Sequence, residues 1–269
     1  MIRTPAVAHQ FYPGEAAALR QTIAELMPAA GLEKKKALAV VAPHAGYIYS
    51  GGVAAETFSR VEVPRDVVLL GPNHHGYGAP VAIMQEGGWE MPLGTVPINE
   101  ELASAITGRA PGLITPDETA HRFEHSLEVQ VPFLQVLQPK LRLVPLVLGR
   151  LSLPQCTEVG TAIAAAIREY AQPVLIVAST DMTHYESRQA ASTKDQLALD
   201  RISDLDPSGL YQTVAANRLS MCGVIPTTAA LVAAVALGAK RAELVRYTDS
   251  GEASGDTSQV VAYAGFVIE

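Results

Sequence analysis

Short, continuous apolar runs alternate with longer stretches whose apolar residues recur at helical spacing. Ala37–Pro43 (ALAVVAP), Asp66–Gly71 (DVVLLG), Leu141–Gly149 (LRLVPLVLG) and Pro173–Thr180 (PVLIVAST) are uninterrupted apolar runs, the pattern of strands buried on both faces. Between them lie predicted helices over 14–27, 51–58, 99–106, 125–137, 156–170, 190–203, 207–216 and 227–237. In 125–137 the apolar set is Leu127, Val131, Phe133, Leu134 and Leu137, and Asn99 is placed to cap the third helix. The glycine-rich stretch Val81–Val96 reads as an antiparallel excursion, and Ala242–Tyr247 and Val260–Ile268 as closing strands. Residues 32–37 (LEKKKA) read as a solvated basic run. Strands alternating with helices imply right-handed crossovers and an α/β fold: a mostly parallel central sheet with helices on both faces. With neither a repeat nor a linker-like tract in view, residues 1–269 are expected to form a single domain.

Composition narrows the function classes. The 269 residues are 48% hydrophobic, which is enough for a large core, and the formal net charge of −7 argues against nucleic acid as the main partner. Val224–Ala239, the most apolar stretch, is shorter than the roughly 20 residues that span a bilayer, so no membrane association is expected. Two cysteines, Cys156 and Cys222, exclude a disulfide scaffold, and the N-terminus lacks the apolar core of a secretory signal. A cytoplasmic location is expected.

The histidines change the picture. Of seven, His44 follows the first apolar run, His74 and His75 the second, and His184, with Asp181, follows the run ending at Thr180. Ligands of open α/β sheets bind in the crevice beyond the carboxyl ends of the strands, so these distant positions are expected to converge. Converging imidazoles suit a transition metal. Cys222 precedes an apolar helix whose N-terminal dipole would favour a thiolate, as a ligand or as a nucleophile. A plain buried thiol is the equal alternative. His125 and Glu128 stand at i,i+3, on one face if the helix begins there, so the carboxylate could orient the imidazole. A polar helix start, with Glu124 and Glu128 favourable near the positive end of the dipole, explains them equally well. Asp181 and His184 could do acid–base work, the aspartate fixing the histidine's tautomer, or could themselves bind metal. His9 and His121 carry no supporting context.

Six ordered blocks, PAVAHQFYPG, APHAGYIYSG, LGPNHHG, EHSLEVQVPFL, VASTDMTHY and MCGVIPT, resemble the Memo-like family, whose microbial members are termed AmmeMemoRadiSam system protein B. The resemblance spans nearly the whole chain. It implies a fold similar to that of class III (LigB-type) extradiol dioxygenases. It also implies a metal site of His44, His74 and Cys222 holding iron or copper, with zinc possible. Asp181 and His184 would be catalytic residues in the same pocket, and His75, His125, Glu128 and Tyr47 would line the pocket or steady the ligands. A thiolate stands where the dioxygenases carry a glutamate, which shifts the metal preference toward softer ions. His9 stands where relatives usually have glycine. Three functions follow as expectations: a metal-dependent redox enzyme, a zinc-type metallohydrolase, or a non-catalytic ligand- or peptide-binding protein. The implied companions are an AMME-type domain protein and a radical SAM protein, and no residue identifies the small-molecule substrate.

Overall fold

In the computed structural model, residues 1–28 and 33–269 are described; Leu32, the first residue of the basic run, lies outside them. The elements in chain order are β1 (Ile2–Arg3), α1 (Ala16–Leu26), β2 (Ala39–Ala42), α2 (Tyr47–Ser59), β3 (Asp66–Pro72), β4 (Val81–Ile83), β5 (Gly88–Trp89) and β6 (Val96–Pro97). Next come α3 (Glu100–Thr107), β7 (Thr115–Pro116), α4 (Val131–Leu137), β8 (Arg142–Leu148), α5 (Leu153–Glu169) and β9 (Val174–Ser179). The chain closes with β10 (His184–Glu186), α6 (Arg188–Ser203), α7 (Pro207–Asn217), α8 (Val224–Leu237), β11 (Ala242–Asp249), α9 (Gly251–Ser254) and β12 (Val260–Ile268).

Among the described residues one sheet of nine strands runs through the molecule in the order β10-β12-β2-β9-β3-β8-β4-β7, with β11 also paired to β12. Its centre, β2-β9-β3-β8, is wholly parallel, and antiparallel pairs flank it: β12 on β2 and β4 on β8. The central strands are buried almost residue for residue, and continuous burial is what selects Val, Leu, Ile and Ala without alternation. Helices cover both faces: α2 packs against β11 and β12, while α5 and α8 pack together with α8 against β9 and β3. The Val81–Val96 excursion is present as β4 and the β5–β6 hairpin, which forms a small separate sheet with β1. Asn99 caps α3 by accepting a hydrogen bond from the Leu102 amide.

One predicted helix starts late. Residues 125–127 are non-helical, 128–130 form a short 3-10 turn, and α4 begins at Val131. Pro132 has no N–H to donate to the carbonyl of residue 128, which interrupts the i→i+4 ladder, and the regular helix begins at Val131 although the backbone at Gln130 is already right-handed helical. His125 and Glu128 therefore do not share a helical face.

Candidate metal centre

β2, β9 and β3 are neighbours and parallel, so their carboxyl ends lie side by side on one edge of the sheet. His44 follows β2 by two residues, Asp181 follows β9 by two, and His74 follows β3 by two. Two glycines let further segments close on this edge. A Cβ on Gly71 would lie 2.4 Å from Leu127 Cδ1 and 2.6 Å from Ser126 Oγ, so its absence seats the 125–127 segment against the end of β3. A Cβ on Gly223 would lie 2.4 Å from the Ser179 carbonyl, so the Cys222 loop can press on the end of β9.

The result is a cluster in which ligand atoms of His44, His74 and His125 all lie within 4.8 Å of one another. The His74 and His125 rings stack at 4.6 Å between centroids, with His44 edge-on to both. Cys222 reaches the cluster through His44, its Sγ 3.2 Å from Nε2. His125, expected only around the ligands, is the third imidazole of this cluster.

Hydrogen bonds set the tautomers. Ser179 Oγ donates its one proton to the Ser126 carbonyl (2.6 Å) and accepts from Gln130 Nε2 (2.9 Å). Its 2.9 Å contact with His44 Nδ1 must therefore have the imidazole as donor, which leaves Nε2 with a free lone pair facing Cys222. Glu124 does the same for His74: one carboxylate oxygen accepts from Nδ1 (2.8 Å) and from the Ser126 amide (2.9 Å), the other from the His74 amide (2.7 Å). Burial pushes the Glu124 carboxyl up, but these bonds and the imidazole outweigh it, and the net shift is down. A carboxylate gripping the rear nitrogen of an imidazole is the arrangement that fixes metal-binding histidines. The residues thus fit a metal: two imidazoles are locked with Nε2 outward, a third is stacked beside them, and a thiol is at hand.

Burial is the main cause of the site's other shifts. It holds His44 well below the usual histidine range, His125 down at about 4, and His184 lowered. It raises the Cys222 thiol, with the nearby Asp181 charge adding to it, so the expected dipole-favoured thiolate is outweighed in the metal-free site. The thiol has two acceptors in reach, His44 Nε2 at 3.2 Å and the Asp181 carbonyl at 3.6 Å. Asp181 is raised by burial to about 7, against hydrogen bonds from the His44 and Ala45 amides that favour its charged form.

The cluster opens into a cavity of about 710 Å³, lined also by Asp181, His184, Phe11, Tyr49, Tyr185 and Tyr263. Asp181 and His184 share it, yet no hydrogen bond joins them. Asp181 Oδ1 accepts from the His44 amide at 2.7 Å, and His184 Nδ1 is buried with no partner among the described residues. His184 sits on β10, a strand the sequence pattern does not announce. Tyr185 beside it takes the left-handed φ of 58°, a strained conformation for a bulky side chain that is often found at functional sites.

Three expected pocket residues lie elsewhere. Glu128 is fully buried and spends its carboxylate on the N-terminal segment: the amides of Ala6 (2.7 Å) and Val7 (3.0 Å), the Tyr12 hydroxyl (2.6 Å) and the Arg3 guanidinium (2.7 Å). It makes no hydrogen bond to His125, because the late start of α4 turns it away. Tyr47, the first residue of α2, is buried and donates to the Val129 carbonyl at 2.7 Å. His75 is exposed and stacks near Tyr77. Glu124, read from sequence only as a helix-start acid, is the orienting carboxylate. Its DETAHRFEH context, a carboxylate beside a histidine, was the available signal.

A family model described as Memo-like protein matches residues 3–267. A MEMO1 family protein of Methanothermobacter thermautotrophicus is 44% identical, over 98% of this chain and 99% of its own. One from Methanopyrus kandleri is 45% identical over 99% of each chain, and one from Aquifex aeolicus 39% identical over 99% and 98%. Among solved structures, an uncharacterized protein of Escherichia coli K12 shares the fold at a TM-score of 0.58 and 14% identity, covering 84% of this chain and 98% of that one.

Proposed function

The chain belongs to the Memo-like protein family, and from this premise we propose that it is a metal-dependent redox enzyme whose His44, His74 and Cys222, joined by His125, hold iron or copper. The observation that carries this reading is the pair of imidazoles held at Nδ1 by Ser179 and Glu124, in a cluster whose ligand atoms lie within 4.8 Å of one another. Imidazole and thiolate together suit copper, iron and zinc better than hard cations. A bound iron or copper ion would supply one-electron chemistry there. Around it, Ser179 and Glu124 hold the ligands, and burial of His44 keeps it neutral and ready to coordinate. Asp181, with a pKa of about 7, can take or give a proton at neutral pH, and His184 presents an unpartnered Nδ1 in the same cavity. This reading includes work alongside an AMME-type domain protein and a radical SAM protein, in the cytoplasm.

Metal identity separates this reading from hydrolysis, in which zinc would activate water and Asp181 would act as base. The test is elemental analysis of protein purified anaerobically, as wild type, Cys222→Ala and His125→Ala. Roughly one iron or copper per chain, lost in Cys222→Ala, is expected for a site of this donor set. Retention in Cys222→Ala with loss in His125→Ala would give the site to three imidazoles. Zinc alone would move the function to hydrolysis, and no first-row metal after reconstitution would leave a binding protein.

A further inference from the structure

A second cavity, of about 420 Å³, opens at the carboxyl ends of β3 and β8, where ligands of open α/β sheets bind. Its walls are Pro72 and Leu148 from the strand ends, Tyr211 and Val214 from α7, and Val224 and Ile225 from the first turn of α8. Cys222 also lines it. Since Cys222 Sγ lies 3.2 Å from His44 Nε2, and His44 lines the larger cavity, the thiol stands as the wall between the two.

The polar side chains of this cleft are spent, with one exception. Tyr211 donates its hydroxyl to the Leu151 carbonyl at 3.0 Å. Asn73 gives Nδ2 to the Tyr77 carbonyl at 2.8 Å, and its Oδ1 accepts from the Gly76 amide at 2.7 Å. Arg150 lines the cleft from an exposed position at its rim, and among the described residues its guanidinium makes no side-chain hydrogen bond or ion pair. The cleft therefore offers an apolar body of small-molecule size and one planar cation. That inventory matches a molecule with an apolar frame and a single carboxylate, which a guanidinium receives bidentately. A phosphate monoester would bring a second charge with no second cation to meet it.

We propose that this cleft binds a small apolar monocarboxylate, its body against Val214, Val224 and Ile225, its carboxylate on Arg150 and its inner end beside Cys222. Binding here stands on the cleft itself and does not rest on the metal-centre reading.

Calorimetric titration of the full chain with octanoate, octanol and octylamine tests it, with Ala215→Trp and Arg150→Gln as variants. Ala215 is exposed on α7 at the cleft, so an indole there fills the space without disturbing the core. Octanoate is expected to bind about tenfold or more tightly than octylamine, the size of one charge-assisted contact. Ala215→Trp is expected to abolish octanoate binding, and Arg150→Gln to bring octanoate down to octanol. No octanoate binding by the wild type, equal binding by Ala215→Trp, or equal binding of the amine would overturn the proposal. Metal content is measured in the same preparations, so loss of the cleft and failure of the metal centre are read separately.

Discussion

His9 takes a left-handed backbone conformation, φ 65°, to bring its amide to the Tyr12 carbonyl at 2.8 Å. Such a conformation suits glycine better than histidine, since only glycine enters it without a Cβ penalty. Relief of about 1–2 kcal/mol of strain, less about 0.5–1 kcal/mol for the greater freedom of glycine in the unfolded chain, makes His9→Gly neutral to slightly stabilising. Denaturant melts that show a loss above about 1 kcal/mol would mean the imidazole does more than fill space. Glu124 has the opposite profile, because its work is felt at a neighbour. Glu124→Gln keeps the shape but removes the charge that grips His74 Nδ1. Metal affinity should fall about 10–100-fold, as for other outer carboxylates, with the fold intact. A competition titration with a chelator of known affinity reads this directly, and unchanged affinity would remove Glu124 from the site.

At the scale of elements, the segment 121–130 does two jobs. Its Glu124–Leu127 part supplies His125 and the grip on His74, while Glu128 anchors residues 3–12 across the end of the sheet. Arg3 is itself buried, held by Glu128 and by the carbonyls of His121 and Glu124. Breaking a buried pair leaves an uncompensated charge, so Glu128→Gln should cost about 3 kcal/mol and free the N-terminal segment. Chemical unfolding measures the first, and limited proteolysis near residues 3–12 the second. A variant as stable and as protease-resistant as wild type would contradict the anchoring role.

Across the whole molecule, burial sets the pH response of the metal-free protein. His44, His121, His125 and His184 are all lowered in the fold, chiefly by desolvation. Below about 6.5 the unfolded chain protonates these histidines and the folded chain does not, so the stability they add is present above that pH and lost as pH falls. Asp181, raised to about 7, works the other way: its contribution is present at low pH and lost as pH rises toward 7. Asp195 is raised by burial as well, so four groups stand against two, and the balance is a net loss on acidification. The melting temperature of metal-free protein should drop from about pH 7 to about pH 5, and a flat or rising profile would contradict this balance.

The order of strands and helices and the convergence of His44, His74 and Asp181 could be read from the chain before any coordinates. Continuous apolar runs mark strands buried on both faces, and parallel strands necessarily end on the same edge. That β2, β9 and β3 are adjacent, with β9 inserted between strands earlier in the chain, lay beyond that reading, because pairing order depends on contacts between segments over a hundred residues apart. The same holds for the partners of the side chains. Helical spacing put His125 and Glu128 on one face, but Pro132 delayed the helix, sending His125 into the cluster and Glu128 to the N-terminal segment. Asp181 and His184 were near in sequence and are unpaired in space, since Asp181 is held by the amides after β2 and His184 by a short strand against β12. Local chemistry names the residues that can serve a site; which atoms face one another is decided by packing between distant segments, and periodicity within one segment carries no record of it.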